Sequence, residues 1–146
     1  MNAPAKRILD PAAIQQLAEA AKSVLASRPE VAAAYLYGSA ARGEPAADLD
    51  IAVLPRGAGL NANQLESIAA LLQAEGAPQG PAIDVRPLAG TSPRFRANVL
   101  REGRLLFEAD RNARLEFEAR ALSEWADFKP IWERMRRRMR ERWVNG

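Results

Sequence analysis

Asp48 and Asp50 stand two apart in the run Asp48-Leu49-Asp50-Ile51-Ala52-Val53. In a strand that spacing sends both carboxylates off one face and turns Leu49, Ile51 and Val53 toward a core. At roughly 6 Å and an effective dielectric near 20, their repulsion is about 3 kcal/mol, enough to lift one pKa. A divalent cation removes that cost, and Mg²⁺ prefers hard carboxylate oxygens. Just upstream, the apolar run from Val31 to Tyr37 reads as a buried strand that ends at Gly38-Ser39. That pair opens a short helical turn, whose outward N–H groups and positive dipole end suit phosphate oxygens. A phosphate cradle one loop ahead of a metal-binding pair points to nucleoside triphosphate chemistry. Without the Gly-Ser turn, the same two acids read as solvated groups on a surface strand.

Composition narrows the chemistry further. The 146 residues contain no cysteine and no histidine. Thiol nucleophiles, disulfides, imidazole bases and histidine-bound metals are therefore excluded, and acid–base or metal work falls to Asp and Glu. The length suits one domain that buries roughly 70% of its unfolded surface. No apolar run long enough for a membrane helix and no leader pattern occurs, so a cytoplasmic protein is expected. The charge is uneven: between positions 134 and 142, six arginines against Glu141 leave +5, while the rest of the chain is slightly acidic. The high pI belongs to the tail.

Alternating helices and strands must position these residues. Asp10-Pro11 caps a first helix with an apolar face from Ile14 to Leu25. The strand to Tyr37, the phosphate turn with its short helix, and the acidic strand to Leu54 follow. Asn61 with Gln64 forms a capping box for a helix to Gly76. Pro81 to Leu88 is a third strand, Ser92-Pro93 caps a helix to Gly103, and Arg104 to Glu108 is a short strand. From Asp110 a long helical pattern carries Leu115, Leu122, Trp125, Phe128, Trp132, Met135, Met139 and Trp143 on one stripe. Pro130 inside that pattern predicts two pieces meeting near Phe128 to Pro130, the second projecting. An α/β (α+β) domain with a small mixed β-sheet flanked by helices is expected. Asp84 interrupts the third strand. It is either an edge position facing water or, if this strand neighbours the acidic one, a third carboxylate on the same face.

Gly38-Ser39, Arg42-Gly43, Asp48-x-Asp50 and Asp84 resemble the nucleotidyltransferase superfamily of DNA polymerase β. More narrowly, they are similar to its minimal members, the MNT or MntA-like antitoxins paired with HEPN toxins. The run Leu100 to Glu108 with Arg114, Phe117-Glu118 and Asp127 to Pro130 extends the likeness over most of the chain. The resemblance implies a polymerase β-like fold with a long C-terminal helical extension, residues 1–109 forming the nucleotidyltransferase domain and 110–146 the extension, which docks a partner. It implies transfer of AMP from ATP, with Mg²⁺, onto a tyrosine hydroxyl of a cognate HEPN ribonuclease. By position, Gly38, Ser39, Arg42 and Gly43 would serve the triphosphate. Asp48, Asp50 and Asp84 would ligate metal, and Asp84 would also take the acceptor's proton. The chain departs from the pattern in a shorter loop, eight residues between Ser39 and Asp48, and in Ala47, where serine is common.

Two other functions fit the same residues: a small-molecule nucleotidyltransferase of the aminoglycoside-modifying kind, and an antitoxin that acts by binding alone. Gly38 to Gly43 is neither a Walker A loop nor a dinucleotide fingerprint. Arg86 shares the face of Asp84 and serves either a phosphate or an ion pair. The tryptophan stripe reads as core or interface. The arginine cluster reads as a solvated face or partner contact, against the RNA contact such clusters also make.

Overall fold

Seven residues without a charge, Val31–Tyr37, form β1 and take an inner place in the sheet. A computed structural model describes residues 5–145. β1 pairs antiparallel with β2 (Asp48–Pro55) on one side and with β4 (Arg104–Glu108) on the other. β2 pairs parallel with β3 (Ala82–Pro87), so the order is β3-β2-β1-β4 and the sheet is mixed. The parallel step needs a crossover, and α2 (Ala62–Gly76) supplies it.

Helices cover both faces. α1 (Pro11–Leu25) and α2 pack on one, closing a core of Leu17, Val24, Leu36, Leu49, Ile51 and Leu72. α3 (Pro93–Glu102) and α4 (Arg111–Asn145) pack on the other, over Tyr35, Ala52, Leu54, Leu88 and Val99. The central strands are therefore apolar on both sides, and charge enters β2 only at its start. Each expected helix start is capped as its sequence signals. Asp10 accepts from the Ala12 N–H, Asn61 and Gln64 close their capping box, Ser92 accepts from Phe95, and Asp110 accepts from Ala113. Among the described residues no helix is long and apolar enough to cross a membrane.

Two expectations are corrected. The segment after Ser39 is not a short helix. It is a single turn, closed by the Arg42 N–H on the Gly38 carbonyl at 3.2 Å and the Glu44 N–H on Ser39 at 3.0 Å. Glycine at 43 with φ of 74° then turns the chain out of helical conformation. Second, α4 does not break at Pro130 but runs 35 residues, about 52 Å at 1.5 Å per residue. Proline removes one hydrogen bond, to the Ala126 carbonyl, and side-chain packing spans the gap. Trp125 meets Phe128 at 6.3 Å before the proline and Trp132 at 5.9 Å beyond it, and Arg94 of α3 lies 4.6 Å over Trp132.

Half-buried polar contacts fix the first half of α4 to the sheet. The Tyr35 hydroxyl donates to Glu118 Oε1 at 2.8 Å, and Arg114 Nη1 donates to the same oxygen at 2.8 Å. Burial, then Glu118, holds the Tyr35 phenol protonated well above its ordinary range. Arg96 adds a contact to Glu124 at 2.8 Å. Because Pro130 sits in a helix that is continuous without its N–H, Pro130→Ala should stabilise α4 by about 1–3 kcal/mol. Thermal unfolding monitored at 222 nm checks this: the midpoint should rise, and an unchanged or lower midpoint would contradict the continuous helix.

Candidate active site

The acids come together because of strand register. In the β1–β2 ladder Tyr37 stands opposite Asp50, and in the β2–β3 ladder Asp50 stands opposite Asp84. Three neighbouring strands thus present Tyr37, Asp50 and Asp84 in one row on one face. Asp48, two residues earlier, shares that face of β2 at its exposed start. Parallel pairing of β3 beside β2 decides the alternative left open for Asp84. It lies on an edge strand and faces water, and it also lies beside Asp50.

Their electrostatics follow. The Asp50 carboxyl is raised above the usual range by burial first, then by the negative charge of Asp84 and of Asp48, with Arg86 opposing. Arg86 Nε donates to Asp84 Oδ2 at 3.2 Å, so the ion-pair reading of Arg86 holds. The pair is more than half exposed and contributes little to stability. Tyr37, half-buried, has its phenol pushed up to about 12 by burial and by Asp50. It remains a protonated donor at neutral pH.

The Gly38 turn lies directly against the acids. Gly38 has φ of 76°, and a Cβ there would come within 2.9 Å of Asp50 Oδ2. Glycine is thus required twice, by backbone conformation and by the carboxylate packed against it. Arg42 braces the turn: its guanidinium reaches Glu44 and, at 3.1 Å, Glu102 at the end of α3, with Ser39 Oγ at 3.4 Å. Buried Ala40 and Ala41, the Arg104 Nε bond to the Ala41 carbonyl at 3.2 Å, and the Arg7–Ala46 bridge hold the rest of the short loop. Gly43 has open space around it.

The donor set suits a hard divalent cation by its chemistry. It is all carboxylate oxygen, and it carries a repulsion that a cation would relieve. As the side chains stand, however, no three acidic groups among the described residues converge on one point. Asp84 is drawn toward Arg86. Sequence reasoning brought out Asp48, Asp50 and Asp84 but passed over Tyr37, Phe95 and Glu102. Tyr37 had a signal, an aromatic residue at the strand end beside Gly38. Its edge-on contact with Phe95, ring centroids 5.3 Å apart, had none.

The raised Asp50 carboxyl gives a pH test with a definite sign. A group that binds its proton more tightly when folded gives stability that is complete below its unfolded pKa. That stability is lost as pH rises through the raised folded value. Asp50→Asn removes this titration. In metal-free buffer the variant should be more stable than the parent at about pH 7, and the gap should close toward about pH 3. Parallel denaturant titrations across that range check it; a gap independent of pH would contradict the clustering of these acids.

The chain matches the family described as polymerase beta, nucleotidyltransferase over residues 19–112. No curated protein matches it. Among solved structures, a chain of a toxin–antitoxin complex with AMP-PNP is 22% identical, with a TM-score of 0.62 over 81% of this chain and 97% of that one. A chain from the tri-AMPylated Shewanella oneidensis HEPN toxin in complex with MNT antitoxin is 22% identical, with a TM-score of 0.60 over 84% and 98%. A chain of the toxin–antitoxin MntA–HepT gives 21% identity and a TM-score of 0.59 over 83% and 97%. At these identities the likeness is one of fold.

Proposed function

This chain belongs to the polymerase beta nucleotidyltransferase family, and on that footing we propose that it is an antitoxin that transfers AMP from ATP to a tyrosine hydroxyl of a cognate HEPN-family toxin. The observation that carries the proposal is the row Tyr37–Asp50–Asp84 laid against the Gly38 turn. Carboxylates whose charges repel each other, next to a turn built around glycine, provide what a triphosphate and its metal require. Support for AMP and for a HEPN acceptor comes from the similar complexes, which contain AMP-PNP and an AMPylated HEPN toxin.

In this reading Asp48, Asp50 and Asp84 would hold Mg²⁺, Asp84 exchanging its ion pair with Arg86 for the cation. Bound there, the cation would supply charge neutralisation for the acids and Lewis acidity toward the phosphate. The backbone N–H groups at Gly38 and Ser39 meet the triphosphate, Gly43 lets the turn close, and Arg42 holds the turn in place through Glu102. Asp84 takes the proton of the incoming hydroxyl. The acceptor oxygen bonds to the α-phosphorus as the bond to the bridging oxygen breaks, and pyrophosphate leaves. A tyrosine acceptor suits a carboxylate base, because a phenol with a pKa near 10 is far more acidic than an alkyl hydroxyl. Tyr37, held protonated, is a donor beside Asp50 and no rival for the proton.

The test is incubation of the chain with ATP, Mg²⁺ and its HEPN partner, followed by intact-mass and peptide analysis of the partner. We expect adenylyl groups on tyrosine, and transfer reduced at least a hundredfold in Asp48→Asn and Asp50→Asn, in line with the loss of a group that acts on charge in the transition state. Near-parental transfer in either variant would sink the metal assignment. Neutralisation of an unmodified toxin would establish binding alone, and modification of an aminoglycoside in place of the toxin would establish the small-molecule reading.

A further inference from the structure

The second half of α4 carries an unpaired seam. Trp132, Met135, Met139 and Trp143 are spaced by three, four and four residues, the stripe a helix presents to another helix. Every described residue from Glu133 to Asn145 is exposed. Met135 is 51% exposed, Met139 63% and Trp143 90%. Together with Arg136 and Arg140, the four seam residues line a groove of about 370 Å³. At 100° per residue, Arg136 and Arg140 fall along one side of the stripe and Arg138 and Arg142 along the other. Glu141 falls on the opposite face, and Glu133 lies on the Arg140 side.

We infer that this segment is a docking helix, and that its occupant is a helix of a partner protein whose apolar seam is flanked by aspartate and glutamate. Charge decides the occupant. Flanking positions in a helix pair set partner choice, and here arginine outnumbers glutamate on both flanks. A second copy of this chain, parallel or antiparallel, would set arginine rows against arginine rows, which disfavours self-pairing. A nucleic acid would answer the arginines but leave the methionines in water. Ile131, four residues before Met135, extends the stripe, while Val144 lies off it; an anionic membrane is an outcome that the test below distinguishes.

The seam is continuous with the sheet end that carries the acids. Arg94 covers Trp132, the next residue Phe95 packs on Tyr37, and Tyr37 is the register partner of Asp50. The Trp132 end of the seam is therefore the end joined to that site. The inference concerns this surface alone and does not depend on the transfer reaction, because no seam residue belongs to the nucleotide site.

Two synthetic helical peptides with one leucine seam, flanked by glutamate in the first and lysine in the second, test it by calorimetry against the full chain. The glutamate peptide should bind at least tenfold more tightly than the lysine peptide and weaken as salt rises. Met139→Glu with Trp143→Ser, both on exposed positions, should abolish that binding while leaving circular dichroism and ATP binding unchanged. Equal binding of the two peptides, or of neither, would overturn the proposal. So would concentration-dependent self-association abolished by the same double substitution, or tighter binding to oligouridine or to phosphatidylserine vesicles than to the acidic peptide. Any of those results leaves the transfer assay unaffected, so the two readings fail separately.

Discussion

Backbone hydrogen bonding between β2 and its two neighbours holds together charges that would otherwise separate. Asp50 is fixed opposite Tyr37 on one side and opposite Asp84 on the other by ladders whose register these polar side chains do not themselves set. The register is in turn pinned by the residues that follow. Ile51 and Val53 are buried toward α1 and α2, Ala52 and Leu54 toward α3 and α4, and a slip of one residue would invert them all. The stability of a strand buried on both faces thus offsets the repulsion of acids at its exposed start. This is why the site lies at the end of the strand and not along it.

The loop between Gly38 and Asp48 shows the same economy. It is short, yet it is anchored at several points: small alanines buried beneath it, the bridge to Arg7 ahead of α1, and Arg42 tied to α3. A longer loop would need other means to keep its N–H groups beside Asp50. Glycine at 38 is what allows the approach, since any larger residue would meet the Asp50 carboxylate. The loop and the acids are therefore one unit, and a change to either moves the other.

α4 joins the half of the molecule that carries the acid row to a surface that is exposed among the described residues. Its first half is tied to β1 through Tyr35, Glu118 and Arg114. Its middle is tied to α3 through Trp132 and Arg94, and every described residue of its last three turns is exposed. Continuity through Pro130 matters for this arrangement, because a broken helix would let the seam turn independently of the sheet. Aromatic contacts on either side of the proline replace the lost hydrogen bond as the source of rigidity.

Much of this was determined by the sequence alone, and for a local reason. Caps at Asp10, Asn61, Ser92 and Asp110, the apolar run before Gly38 and the alternation around Asp48 and Asp50 act within a few residues, so the order of elements and the acidic pair can be read directly. Resemblance over the same motif led to the polymerase β family, and the family match and fold agree with it. What the tertiary structure decided is non-local. No local rule says that β3 pairs parallel beside β2, so Asp84 stayed open between edge residue and third acid until the register placed it opposite Asp50. Pro130 was read by its intrinsic cost, which is correct for an isolated helix. Packing from Trp125, Trp132 and Arg94 outweighs that cost, and none of those contacts is visible in the spacing around the proline. Gly38-Ser39 suggested a short helix, but anchoring of the loop on Arg7, ahead of α1, and on α3 leaves room for one turn. Tyr37 could be seen as the end of a strand; its place in the acid row depended on which strand lay beside it.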